Sequence, residues 1–219
     1  NGVKKTMECE NLNGKTIVAI GDSLFHGSKD CKGNTWLEML AKKHNMTLYN
    51  HGINGNTVAI RPAGVNESSV PMCIRYADME DGADYVVVLG GANDKRLNVP
   101  LGEVDSTDPH EFCGALNIMI DGLSEKYPKA RMLFMTNYDR RRNPNDLGLC
   151  DIDYVLAMEK VCRNRSVPCF NNYYNSGISF SNKAHLAWMD EGIVRGEASN
   201  RHFSAEAYEW LMPRYEHAL

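Results

Sequence analysis

Four short stretches of this sequence hold residue types that together can move an acyl group. Gly21-Asp22-Ser23-Leu24 offers a hydroxyl. Asn50-His51-Gly52-Ile53-Asn54-Gly55-Asn56-Thr57 carries two glycines three apart, which leave backbone N–H groups free to be presented. Gly90-Gly91-Ala92-Asn93-Asp94 offers a side-chain amide, and Asn200-Arg201-His202-Phe203-Ser204 an imidazole near the C-terminus. A hydroxyl nucleophile, an imidazole base and donors for an oxyanion are the parts acyl transfer needs. Each stretch alone has an ordinary reading. Gly-Asp-Ser is a common turn, and Gly-x-x-Gly a turn or a phosphate cradle. Asn-Asp caps helices, and a lone His before a helix usually packs or lies on the surface. Their order and their placement make the combination specific.

The placement comes from the elements between them. Short apolar runs alternate with segments of helical period. Thr16–Ile20, Thr47–Asn50, Tyr85–Leu89, Arg131–Thr136 and Val167–Phe170 read as strands. Tyr85–Leu89 is apolar throughout, as a central parallel strand buried on both faces should be. Pro168 weakens the last run or puts it at an edge. Helices are expected over Asn34–His44, Asp151–Asn164 and Ser204–Ala218, and more weakly over Ser68–Glu80. The clearest is Pro109–Tyr127, whose Phe112, Leu116, Met119, Ile120 and Leu123 form one stripe, with Asp108 as the expected N-cap. Strands alternating with helices predict a parallel sheet in a three-layer α/β/α sandwich. In such sheets ligands bind beyond the carboxyl ends of the strands. Ser23, Gly55 and Asn93 each follow a strand directly.

The four stretches resemble the sequence blocks of the SGNH/GDSL hydrolase superfamily of serine esterases, lipases and carbohydrate acetylesterases. The resemblance runs over residues 15 to 219, with 1–14 as an N-terminal extension of a single domain. It implies a flavodoxin-like sheet of five parallel strands and no metal or organic cofactor. By the same resemblance Ser23 is the nucleophile and His202 the base. The N–H groups of Ser23 and Gly55 and the Asn93 amide are then the oxyanion donors. One position departs from the pattern. The family's last block is usually Asp-x-x-His, and here Ser199 stands three residues before His202. The orienting group is open among Asp190, ranked first, Glu191, Glu197, Ser199 and a backbone carbonyl. Without an orienting carboxylate a Ser-His-Asp site loses about 10⁴ in turnover. The alternative is therefore a weak or dead hydrolase fold serving as a ligand-binding module.

The pocket walls must come from the long connections at the same rim: Thr57–Met72, Lys95–Asp108, Tyr138–Cys150 and Asn171–Arg201. The third holds Arg140-Arg141-Arg142, and the fourth carries Trp188 among other aromatics. Asp22, Asp94, Arg140 and Trp188 are the candidate substrate contacts. The Arg run reads equally as a solvated surface, and the aromatics as ordinary packing. Polar connections with no wide apolar stretch favour a short acyl group on a polar alcohol, such as an acetylated sugar.

Composition excludes other classes. Lys+Arg is 24 against Asp+Glu 28, a net charge of −4, which disfavours general nucleic-acid binding. No apolar run approaches the roughly 20 residues of a membrane helix. Gly90-Gly91-Ala92-Asn93 lacks the Gly-x-Gly-x-x-Gly spacing of a dinucleotide site. The seven cysteines are odd in number and contain no Cys-x-x-Cys pair, so thiolate zinc and a disulfide scaffold are disfavoured. Cysteine usage points to the cytoplasm. Export after removal of a leader is the alternative, because the sequence starts at Asn1. Oligomeric state has no signal in the sequence.

Overall fold

The computed structural model describes residues 11–27, 31–65, 69–140, 143–178, 182–188 and 202–219. In chain order the elements are β1 (Thr16–Gly21), α1 (Ser23–His26), α2 (Trp36–Lys43), β2 (Thr47–Gly52), α3 (Met72–Arg75), β3 (Tyr85–Leu89), α4 (Ala92–Arg96), α5 (Phe112–Lys126), β4 (Arg131–Met135), α6 (Asp151–Asn164), β5 (Cys169–Phe170), α7 (Asn172–Asn175), α8 (Lys183–Leu186) and α9 (Ala205–Ala218). The five strands form one sheet in the order β2-β1-β3-β4-β5, and every pairing is parallel. This is the three-layer α/β/α fold that the alternating pattern predicts.

Strand alternation divides the core in two. On β3, Val86 and Val88 enter one cluster with Phe112, Leu116 and Met158 of α5 and α6. Tyr85, Val87 and Leu89 enter the other with Trp36, Leu40 and Leu211 of α2 and α9. Both faces of β3 are covered, so every residue in it is buried. Each buried valine contributes about 1.5–3 kcal/mol, which makes β3 the anchor of the sheet.

Helix ends follow local chemistry. Thr35 and Glu38 close a capping box at the start of α2. Ser204 accepts the Ala207 N–H and caps α9. α5 differs from expectation, beginning at Phe112 after Glu111 rather than at Pro109 after Asp108. Asp108 instead accepts the His110 N–H at 2.9 Å. Glu111 accepts the Ser106 hydroxyl at 2.6 Å. Both carboxylates that would have capped an earlier start are spent on turns. The weak helix over 68–80 shrinks to α3 and one 3₁₀ turn, since Pro71 fixes the start. β5 keeps only two residues, at the sheet edge.

The strand order reverses between β1 and β3. That reversal opens a crevice at their carboxyl ends. β1 and β3 pair through Ile20 and Val88, so the residues after Gly21 and after Leu89 emerge side by side. The chemistry of the chain gathers at this point. Among the described residues, no helix is long and apolar enough to cross a membrane.

Candidate active site

Ser23 sits where β1 breaks into α1. Asp22 is the N-cap, and its Oδ1 accepts the Leu24 N–H at 2.9 Å. The break is sharp because β2 lets it be. Gly52 pairs with Gly21 across the sheet, and a Cβ on Gly52 would lie 2.2 Å from the His26 backbone nitrogen. Only glycine allows α1 to pack so closely on β2. Ser23 is left 8% exposed, at the floor of the crevice.

His202 reaches the same point from the other end of the chain. Its Nε2 stands 2.9 Å from Ser23 Oγ, across 179 residues of sequence. Its neighbour Phe203 is buried against Tyr138 and Tyr208. Tyr208 of α9 donates its hydroxyl to the Leu24 carbonyl at 2.8 Å. The helix that follows the imidazole is thus bonded to the helix that carries the hydroxyl.

Gly55 lies in a turn. The Asn56 N–H donates to the Ile53 carbonyl at 3.2 Å. Gly55 has φ of +73°, the third-position conformation that a type II turn reserves for glycine. Neither the Gly55 N–H nor the Ser23 N–H donates to a protein acceptor among the described residues.

Asn93 is held by three partners of fixed polarity. Its Nδ2 donates to the Asn56 carbonyl at 3.1 Å and to Asp22 Oδ2 at 3.3 Å. Its Oδ1 accepts from Arg96 Nε at 3.2 Å. An arginine can only donate and a carbonyl can only accept, so the amide has one sensible orientation. Nδ2 therefore faces the segment that holds Ser23 and Gly55. Arg96 escaped the sequence reading, although it stands three residues after Asn93, on the same face of α4. Asn56 escaped it too, because its part rests on a backbone carbonyl.

The four candidate substrate contacts fare differently. Asp22 and Asp94 are fully buried. Asp22 holds Leu24 and Asn93, as above. Asp94 accepts the N–H groups of Val58 and Ala59, each at 3.0 Å. Burial pushes its carboxyl up to about 6, against the pull of those two donors. Both aspartates are turned inward and tie strand ends together. The Trp188 ring stacks on His185 at 5.1 Å and packs on Trp210 of α9 at 4.9 Å. Its carbonyl accepts the Ser204 N–H at 2.7 Å. Arg140 stands at the rim, stacked 4.8 Å above the Tyr138 ring. Its Nε donates to Asn137 Oδ1 at 3.2 Å, while its buried Nη2 has no acceptor among the described residues. Arg141, Arg142, Asp190, Glu191, Glu197 and Ser199 lie outside the described residues.

Two features lie on the segments that bond Asn93 and Asn56. A polar cavity of about 310 Å³ is lined by Lys95, Arg96, Asn98, Asn143, Asn145 and Asp146, and Arg96 is the residue that donates to Asn93. Around Asn56, three apolar side chains face solvent: Ile53, Val70 and Ile74. The Ile53 and Val70 carbonyls both accept from Asn56. No cluster of three or more His, Cys, Asp or Glu arranged for a metal occurs among the described residues. The six described cysteines are free.

A parallel sheet with a Ser–His pair at its switch point defines a serine hydrolase architecture. The sequence model of the GDSL-like lipase/acylhydrolase family matches residues 19–210. The chain belongs to that family and is a carboxylic ester hydrolase. A crystal structure 32% identical covers 96% of this chain and 98% of its own, with a TM-score of 0.82. A Lactobacillus plantarum protein is 22% identical, covers 93% and 95%, and has a TM-score of 0.77. A carbohydrate acetylesterase family member from Sinorhizobium meliloti is 13% identical, covers 92% and 95%, and has a TM-score of 0.60. These last two are likenesses of fold. No curated protein matches the chain.

Proposed function

We propose that the chain hydrolyses short-acyl esters of a polar alcohol, such as an acetylated sugar, with Ser23 as nucleophile and His202 as base. The 2.9 Å separation of His202 Nε2 from Ser23 Oγ carries this reading. It is within the reach that proton transfer needs. His202 takes the hydroxyl proton as Ser23 attacks the ester carbonyl. The developing oxyanion is met by the N–H groups of Ser23 and Gly55 and by Nδ2 of Asn93. His202 then gives its proton to the leaving alcohol. A water deprotonated by the same imidazole releases the acid. Asp190 is retained as the carboxylate that steadies the imidazolium. Arg140, stacked on the Tyr138 ring, is kept as a contact for a polar substrate group.

The two features support the substrate class. The polar cavity at Arg96, the residue that donates to Asn93, suits a hydroxylated leaving group. The exposed apolar side chains of Ile53, Val70 and Ile74 are few, which favours an acyl group of a few methylenes over a long chain. A fluorophosphonate should label Ser23 in the wild type and leave Ser23→Ala unmodified. Acetyl and butyryl nitrophenyl esters should be cleaved faster than decanoyl esters, and acetylated sugars should be accepted. An active, unlabelled Ser23→Ala enzyme would overturn the nucleophile, and a preference for decanoyl esters would overturn the acyl assignment.

A further inference from the structure

One charged group beside the proposed oxyanion hole takes no part in the mechanism above. Arg75 is the last residue of α3 and is half-buried. Its Nη2 donates to the Gly21 carbonyl at 3.0 Å, from 54 residues away in sequence. Its Nε donates to Asn56 Oδ1 at 2.9 Å. These acceptors stand on the two limbs of the site. Gly21 leads into Asp22 and Ser23, and Asn56 follows Gly55. The Gly21 carbonyl also accepts the Ile53 N–H at 3.0 Å, so the guanidinium and the first residue of the Gly55 turn share one oxygen. Asn56 passes the constraint on, since its own carbonyl accepts from Asn93 Nδ2. One planar side chain therefore touches the strand end that carries Ser23 and the residue that joins Gly55 to Asn93.

The acceptors are both neutral. Arg75 makes no ion pair among the described residues, and burial lowers its basicity to about 10. A half-buried cation without a counter-charge is costly to keep. Stapling two loops does not require one, because a neutral amide donates to carbonyls as well. A planar fork fixes the separation of its two acceptors, and a cation favours a negative charge nearby. In ester hydrolysis such a charge develops only in the tetrahedral transition state, at the point these segments line.

We propose that Arg75 is a positioning residue of the oxyanion hole. It holds the Gly21 and Asn56 segments so that the Ser23 N–H, the Gly55 N–H and the Asn93 amide converge, and it adds positive potential that counts in the transition state. The assignment rests on the reading of Ser23 as the nucleophile of an ester hydrolase. Arg75→Met and Arg75→Lys, each alone and combined with Asn93→Ala, test it. The readouts are kcat and KM on nitrophenyl acetate, the rate of fluorophosphonate labelling, and the unfolding temperature. Arg75→Met should lower kcat about 30–100-fold with KM within about threefold, and the labelling rate should fall in parallel. Arg75→Lys keeps the charge and should recover about tenfold of that loss. In the Asn93→Ala background Arg75→Met should cost clearly less than in the wild type, because one of the donors it helps to place is already gone. Equal losses in both backgrounds, or a raised KM at unchanged kcat, would overturn the assignment. If Arg75→Met does not fold, Arg75→Lys decides: a lower kcat at unchanged KM supports the proposal, and an unchanged kcat overturns it. A wild type that is neither labelled nor active would instead overturn the esterase reading, and the role of Arg75 with it.

Discussion

At the residue scale, the proposed mechanism gives the Asn93 amide a second job beside its structural one. It ties the Asn56 carbonyl to Asp22 in the resting site, and in the proposed mechanism its longer bond, to Asp22 Oδ2, is exchanged for one to the oxyanion. Only the bond to the oxyanion strengthens as charge develops. Asn93→Ala should therefore lower kcat about 10²–10³-fold with a smaller change in KM, measured by steady-state kinetics on a short ester. Asp94 has a different signature. Its carboxyl titrates near 6 in the folded protein, against an ordinary 3.8. Between those values the folded chain binds more protons than the unfolded one. Stability from this group is therefore greatest below about pH 4, falls as pH rises, and levels off above about 6. Urea unfolding of wild type and Asp94→Asn from pH 4 to 7 should show their difference moving in favour of the variant across that window. A constant difference would mean that Asp94 stays ionised throughout.

At the scale of elements, the placement of Ser23 depends on how closely α1 sits on β2. The Gly52 Cα faces the His26 backbone, and a methyl group there would meet backbone rather than a movable side chain. Gly52→Ala should therefore destabilise the fold by about 1–3 kcal/mol, the usual cost of overpacking. It should also lower the rate of Ser23 labelling, because α1 must shift to make room. Gly33→Ala is a fitting control, since its Cβ would meet open space, although its φ of +72° adds some strain of its own. Chemical denaturation and labelling kinetics on both variants would separate crowding from strain.

For the whole molecule, Ser23 and His202 come from opposite ends of the chain and are joined through α9. The Tyr208 hydroxyl bonds the Leu24 carbonyl inside a buried site. Tyr208→Phe removes the donor and leaves that carbonyl unpaired, at a cost of about 1–3 kcal/mol. It also frees α9 to drift from α1. We expect a lower unfolding temperature together with a lower kcat, whereas Tyr49→Phe at the exposed sheet edge should change neither.

The sequence by itself determined the sheet and the four chemical stretches. Strand and helix periods are local properties, and a residue directly after a buried strand must emerge at the sheet rim. The rim positions of Ser23 and Asn93 were legible for that reason, and the Ser204 cap of α9 from the serine that precedes its helical stripe. The start of α5 was not, because Asp108 and Glu111 had competing local partners that the helical stripe does not reveal. Nor were the parts of Asp22, Asp94 and Trp188, which resemble substrate contacts in sequence yet spend their groups on Leu24, Asn93, Val58, Ala59 and Trp210. Arg75 left no signal at all, since its acceptors lie 19 and 54 residues away. Only the tertiary structure decided these matters. Which donor meets which acceptor depends on distances that close when β1, β2 and β3 lie side by side, and no spacing along the chain encodes them.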